Sequence, residues 1–189
     1  MTTPQVALRP ILVEDLGVLL RFRLEAGLIG PNWYGHRDSG ELRRRLDTDG
    51  WLGAEDSRMT VTADGAAVGF VAWAAVSQGN GTYWSIGISL VPEARGRGVG
   101  LLAQRLLCDY LFDHSPVVRI EAVTQPENEA EQRILERIGF VLEGTLRSAE
   151  FRQGRWRDVH VYGLLRSEYR PAGRAGRDGG RPPVTGSAR

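Results

Sequence analysis

Residues 85–112 read SIGISLVPEARGRGVGLLAQRLLCDYLF, and the rest of the chain is organised around them. The run from Ile86 to Val91 carries Ile88, Leu90 and Val91 and has the apolar density of a buried strand. Pro92, which has no backbone donor, ends it. Arg95-Gly96-Arg97-Gly98-Val99-Gly100 follows, and a helix signal starts at once. Val99, Leu102, Ala103, Leu106, Leu107, Tyr110 and Leu111 fall at the spacings of one continuous helical stripe. The glycines therefore lie between a strand end and a first helical turn. Amide hydrogens in that turn have no intrahelical partner, and the helix dipole adds positive character there. Glycine lets an anion approach those donors closely, and Arg95 and Arg97 add charge suited to phosphate oxygens. The local expectation is a pyrophosphate cradle.

Two common cradles do not fit. A Walker loop needs Gly-Lys-Ser/Thr, and the chain contains no lysine. A dinucleotide fingerprint needs Gly-x-Gly-x-x-Gly, whereas glycines 96, 98 and 100 give Gly-x-Gly-x-Gly.

Around this stretch, Val6–Pro10 suggests a short strand and Val13–Leu28 a helix, followed by the Gly/Pro-rich loop 27–37 with Trp33, Tyr34 and His36. Asp38 and Glu41 form a capping-box pattern for a second helix through Leu46. Met59–Ala63 and Val68–Val76 read as strands joined at Asp64-Gly65, and Gly79-Asn80-Gly81 turns into the strand ending at Val91. These three form an antiparallel meander. Val117–Thr124 follows the long helix and is expected to run parallel to the strand before it. Asn128 opens another helix and Gly139 closes it in a left-handed cap. Val141–Phe151 and Trp156–Leu165 form a C-terminal hairpin about Gln153-Gly154.

Composition sets limits. The 189 residues suit one domain, 42% apolar content supports a full core, and the net charge of +1 favours neither nucleic acid nor a membrane surface. MTTPQVALRP lacks a signal-peptide pattern, and one cysteine, Cys108, makes no internal disulfide, which together suggest a cytoplasmic protein. Cys108 reads as a small core residue, and His36, His114 and His160 have no metal-ligand spacing, so no metal is expected. Arg43-Arg44-Arg45 reads as a solvated helix face, with a ligand phosphate as an alternative contact.

The glycine stretch resembles the acyl-CoA loop of the GNAT superfamily of acetyltransferases, Arg/Gln-x-x-Gly-x-Gly/Ala, through Arg95, Gly98 and Gly100. The order of elements is also similar to that fold. Asn128, Gly139-Phe140 and Glu143-Gly144-Thr145-Leu146-Arg147 resemble the RimJ/RimL branch, as does the ending Arg155-Trp156-Arg157-Asp158 to Leu165. The matched segments cover roughly residues 60–168 and are separated motifs in a fixed order, which is more specific than any one of them.

The resemblance implies an α/β (α+β) GNAT fold: a mixed, mostly antiparallel twisted sheet of about seven strands with about four helices. Residues 1–168 would form the acetyltransferase domain and 169–189 a disordered Gly/Pro/Arg-rich tail. It implies acetyl-CoA as acyl donor, with a primary amine attacking the thioester directly in a ternary complex. Ser89, Leu90, Val91, Arg95, Gly96, Arg97, Gly98, Val99, Gly100 and Asn128 would bind CoA, with backbone amides near Leu90 and Val91 polarising the carbonyl. Trp33 and Tyr34 would line the acceptor site, although core packing explains them equally. Glu121 is the leading base candidate, against the plainer reading of an ion pair with Arg119 or Arg133; Glu143 and Glu150 are weaker.

The acid is where the chain departs from this branch. The tyrosine found in many relatives is replaced by Leu135, and the serine of the RimJ/RimL branch by Glu131, which leaves Glu131 or solvent to protonate the thiolate. The acceptor is expected to be a protein N-terminus or a small amine. Alternatives are a self-resistance or tailoring enzyme for an amine antibiotic or polyamine, and a non-catalytic CoA-binding regulator. The resemblance leaves a homodimer open.

Overall fold

A computed structural model of the chain describes residues 3–29, 33 and 35–171. Seven strands form one sheet: β1 (Val6–Arg9), β2 (Asp56–Ala63), β3 (Ala66–Gln78), β4 (Gly81–Leu90), β5 (Arg119–Thr124), β6 (Val141–Arg152) and β7 (Arg155–Leu165). Their order is β1-β2-β3-β4-β5-β7-β6, and every pairing is antiparallel except β4 with β5. The meander and the parallel step are as the sequence led us to expect. Among the described residues five α-helices accompany the sheet: α1 (Leu16–Leu24), α2 (Ala26–Ile29), α3 (Gly40–Asp49), α4 (Val99–His114) and α5 (Glu129–Ile138).

Side-chain alternation gives the sheet two apolar faces. Val71, Trp73, Ile86, Ile120 and Ala122 pack with Val99, Ala103 and Leu107 of α4 and Leu135 and Ile138 of α5. The opposite face carries Phe70, which packs against Ile11, Leu19, Leu42 and Trp51 from the N-terminal segments. Ala72, Gly87 and Ser85 share this second face with Phe70 by register, and so does Glu121, paired with Ser85.

Three expectations need correction. The single helix expected over Val13–Leu28 is a 3-10 turn, Val13–Asp15, then α1 and α2. Asp15, 1% exposed, accepts hydrogen bonds from Arg9 (2.6 and 2.8 Å), the Leu12 amide (2.8 Å) and the Thr60 hydroxyl (2.8 Å), which fixes the turn ahead of the helix. Glu25 then leaves the helical region at φ −103° and ψ 93° and separates α1 from α2. On α4, Leu106 is 37% exposed while Gln104 and Cys108 are fully buried, so the buried face is turned from the expected stripe toward α5. Finally, Tyr169, placed in the tail by the boundary at 169, is buried against Phe112 and donates its hydroxyl to Asp109 at 2.8 Å. One aromatic anchor thus carries the packed chain past residue 168.

Candidate active site

β4 and β5 pair through only three residues, Trp84–Ile120, Ser85–Glu121 and Ile86–Ala122. Past them β4 continues to Leu90 along β3, and β5 continues to Thr124 along β7. The two strands therefore part, leaving an opening between residues 87–90 and 123–124. Every second residue along 87–90 turns its amide and carbonyl away from β3, into that opening.

Gly69 holds β4 to the β3 side. A Cβ placed there would lie 2.0 Å from the Ser89 carbonyl oxygen and 2.9 Å from Leu90 Cα, both backbone atoms. The β2–β3 register shifts beside it, between Val61 and Thr62, and the Val91 amide donates to the Val68 carbonyl at 2.9 Å. The Val91 N–H is thus committed and cannot polarise a substrate carbonyl, a correction to the expectation for that residue. The demand on Gly69 comes from a neighbouring strand, and no local pattern announced it.

Pro92–Ala94 form a 3-10 turn, and the loop enters α4 through Gly96 (φ 70°) and Gly98 (φ 82°). Both lie in the left-handed region that glycine adopts without penalty, and a Cβ at either would meet nothing within 4 Å. Gly98 caps α4 with no side-chain hydrogen bond, and the first turn contains no acidic residue. This open, uncapped helix start fits a phosphate-bearing ligand. Gly100 serves packing: a Cβ there would lie 3.2 Å from Ile134 and 3.7 Å from Leu90.

Arg95 is engaged within the protein. Its Nε donates to the Leu90 carbonyl at 3.0 Å and its Nη2 to the Leu28 carbonyl. It ties the loop to β4 and α2, so its guanidinium is largely committed to that structural task. Arg97 is half exposed, 3.8 Å from Asp64. Arg43, Arg44 and Arg45 pair with Asp47, Asp38 and Asp56, as a charged helix face would.

The remaining candidates separate into two places. Glu121 lies on the Phe70 face at the last pairs before the opening and accepts from Arg119 at 3.0 Å. Arg119 also makes two 2.6 Å bonds to Glu143. Gly163 leaves room for this pair, since a Cβ there would lie 2.3 Å from the Glu143 carboxylate. Burial and the Glu121 carboxylate both push the Tyr83 hydroxyl pKa up. Glu150, the other minor candidate, pairs with Arg152 at 3.0 Å.

Asn128 and Glu131 lie on the helical side. Asn128 caps α5, its side chain accepting from the Glu131 amide at 3.4 Å. Glu131 turns its carboxylate to α4, where Gln104 Nε2 donates to it at 3.2 Å. Burial raises its pKa, only partly offset by that hydrogen bond. The Gln104 Oε1 is buried without a partner. A protonated Glu131 would supply the missing donor, since an acid and an amide can bond in both directions. Leu135 is fully buried, so the position of the relatives' tyrosine belongs to the core.

Trp33 stacks edge-on to His36, ring centroids 5.2 Å apart, and Tyr34 lies outside the described residues. Cys108 is buried in the core, and burial pushes its thiol pKa up. Among the described residues no group of three or more His, Cys, Asp or Glu is placed to hold a metal, and no helix is long and apolar enough to cross a membrane.

A feature not evident from the sequence is a pocket of about 170 Å³ on the Phe70 face, lined by Asp56, Ser57, Arg58, Ala72, Trp73, Ala74, Ser85 and Gly87. It adjoins the place where β4 and β5 part.

Residues 5–141 match the acetyltransferase (GNAT) domain model. The chain belongs to the GNAT acetyltransferase family. An uncharacterised N-acetyltransferase of Bacillus licheniformis is 37% identical over 94 residues, 50% of this chain and 52% of that protein. The chain thus spans about half the length of the curated relatives it matches. Among solved structures, Mycobacterium smegmatis RimJ in complex with CoA-disulfide superposes with a TM-score of 0.71 at 24% identity, over 86% of this chain and 83% of that one. Vibrio cholerae spermidine N-acetyltransferase in complex with CoA and spermine gives 0.77 at 22% identity, over 87% and 98%. At these identities the likeness is one of fold, and the GNAT fold with its seven-stranded sheet is as expected.

Proposed function

We propose that this GNAT protein is an acetyl-CoA-dependent N-acetyltransferase acting on a primary amine, either a protein N-terminus or a small molecule. The parting of β4 and β5 beside the uncapped start of α4 carries this reading. The pyrophosphate lies over Gly96, Gly98, Val99 and Gly100, with Arg97 as the flanking cation and Arg95 holding the loop in shape. Leu90 presents its backbone N–H to the thioester oxygen, where negative charge develops as the amine attacks, and Ser89 lines the same opening. Asn128, besides capping α5, contacts the CoA arm.

The ammonium loses a first proton to free its lone pair, the nitrogen forms a bond to the acetyl carbon, the carbon–sulfur bond breaks, and a second proton leaves the nitrogen while one reaches the sulfur. Glu121 takes the first through water, from the face that holds the pocket. Glu131, which burial biases toward the protonated form, gives the proton that reaches the sulfur. Thiolates leave readily, so the acid contributes little to the rate. Glu131→Gln is expected to lower kcat by roughly tenfold, below the usual range for general acids.

The variant's stability moves the other way. The folded-state pKa of Glu131 is raised, so the native protein binds more protons than the unfolded chain, and stability falls as pH rises above the unfolded carboxyl pKa. Gln removes that loss, so Glu131→Gln should match or exceed the native melting temperature at pH 8. A lower melting temperature with unchanged kcat would contradict both halves. The overall proposal is tested by thiol release from acetyl-CoA with peptides and small amines as acceptors. Amine-dependent release supports it, and binding of acetyl-CoA without release to any amine leaves the regulatory reading.

A further inference from the structure

Arg58 lies on β2 with its guanidinium between two aromatic rings, 4.5 Å from the Trp51 centroid and 5.0 Å from Phe70. It lines the pocket, yet its Nε is buried without a hydrogen-bond partner, and no carboxylate bonds to it among the described residues. The neighbouring acids are committed elsewhere: Asp56 accepts from Arg45 at 2.9 Å, and Glu41 from Arg23 at 2.7 Å. Arg23 and Arg37 add further positive charge nearby. Burial first, then the Arg23 charge, pulls the Arg58 pKa down to about 10, so the group stays charged at neutral pH although poorly compensated. Stacking on aromatic rings offsets part of the cost of removing a cation from water but leaves its N–H donors unused.

The pocket places this cation beside the opening. Arg58 pairs with Ala72, and Ala72 with Gly87, so two strand spacings, about 10 Å, separate the Arg58 backbone from the edge where β4 leaves β5. The side chain reaches across part of that distance. Ala72, Ala74, Ser85 and Gly87 keep the floor between them small and uncharged.

We propose that Arg58 is a specificity residue that binds a carboxylate on the amine acceptor, so that this protein takes amines bearing a carboxylate a few bonds from the reacting nitrogen and disfavours polyamines. This rests on the N-acetyltransferase reading and deepens it. A planar guanidinium suits a carboxylate in two-point contact. A polycation in the same pocket would meet Arg58 as a like charge. The carboxylate could belong to an acidic residue at a polypeptide N-terminus or to a free amino acid.

The test uses the full chain with acetyl-CoA and matched acceptors. Peptides differ only in Asp against Asn or Glu against Gln in the first two positions, free aspartate and glutamate are set against their side-chain amides, and spermidine is a separate arm. The acidic member of a pair should exceed its amide in kcat/KM by roughly 10- to 100-fold, the span of a lost charged hydrogen bond. Whether peptides or free amino acids show the larger kcat/KM identifies the source. Arg58→Gln should bring the ratio to about one, and Arg58→Lys should keep part of the preference. Should the Gln variant not fold, the native ratio decides alone. Equal rates for acid and amide, or a preference for spermidine, overturn the proposal. If no amine is acetylated, the enzymatic reading fails, and Arg58 is judged by binding to the acetyl-CoA-saturated protein. Tighter binding of the acidic peptide supports the inference, and equal binding refutes it.

Discussion

Glu121→Gln is expected to lower kcat by about 10²- to 10⁴-fold, the range for loss of a general base, with little change in the KM for acetyl-CoA. An alkylammonium is almost fully protonated at neutral pH, so an acceptor must lose a proton before its lone pair can attack. Glu121 lies one pair before β4 and β5 separate, on the face that carries the pocket, with Ser85 opposite it. The ion pair with Arg119 gives an alternative reason for a carboxylate here. The Glu143→Gln variant separates the two, because Glu143 binds the same guanidinium through both oxygens but belongs to β6. If the network mattered only for structure, the two variants would lose activity alike. A base role predicts a large loss for Glu121→Gln alone and a flatter rise of its rate with pH. Native rates at all pH values would remove Glu121 from the mechanism.

Gly69→Ala should have the second large effect. The new methyl would stand 2.0 Å from the Ser89 carbonyl oxygen, and that neighbour is backbone, so no rotamer change relieves the contact. β4 must move away from β3, toward β5 and into the opening. Overpacking of this kind costs about 1–3 kcal/mol, and the rigid contact puts this variant at the upper end. The displaced segment contains Ser89 and Leu90, so acetyl-CoA affinity should fall at least roughly tenfold, which needs only about 1.4 kcal/mol of lost binding. Urea denaturation and calorimetric titration measure the two effects. Native affinity in a destabilised Gly69→Ala protein would show that the spacing of β3 and β4 does not shape the cleft.

What the sequence disclosed and what it concealed follow from the range of the forces involved. The strand, loop and α4 were legible because apolar periodicity, a proline stop and three glycines all act within a few residues. The cap at Gly139 was legible for the same reason, and it adopts φ 113° with the Phe140 amide reaching back to Leu135. Asp15 was not, since Thr60, 45 residues away, helps to bury it. Arg58 lay one residue before the strand expected over Met59–Ala63 and gave no local signal, because Trp51 and Phe70 close around it from other segments. Arg95 matched the loop motif by identity, yet its bond to Leu28 depends on where α2 lies. Glu131 was noticed only because it stands where the RimJ/RimL branch has serine. Its contact with Gln104 needed the rotation of α4 that the stripe misjudged.

Titration calorimetry of acetyl-CoA into the purified protein tests the central claim most directly, that the gap between β4 and β5 and the glycine-lined start of α4 bind an acylated, phosphate-bearing carrier. Saturable binding is expected, with a dissociation constant between roughly 1 μM and 1 mM, the usual span of enzyme substrates. A rise in melting temperature should accompany it, since a ligand at 100 times its dissociation constant stabilises by about 2.7 kcal/mol. No heat and no thermal shift with any acyl-CoA at that upper concentration would contradict the account.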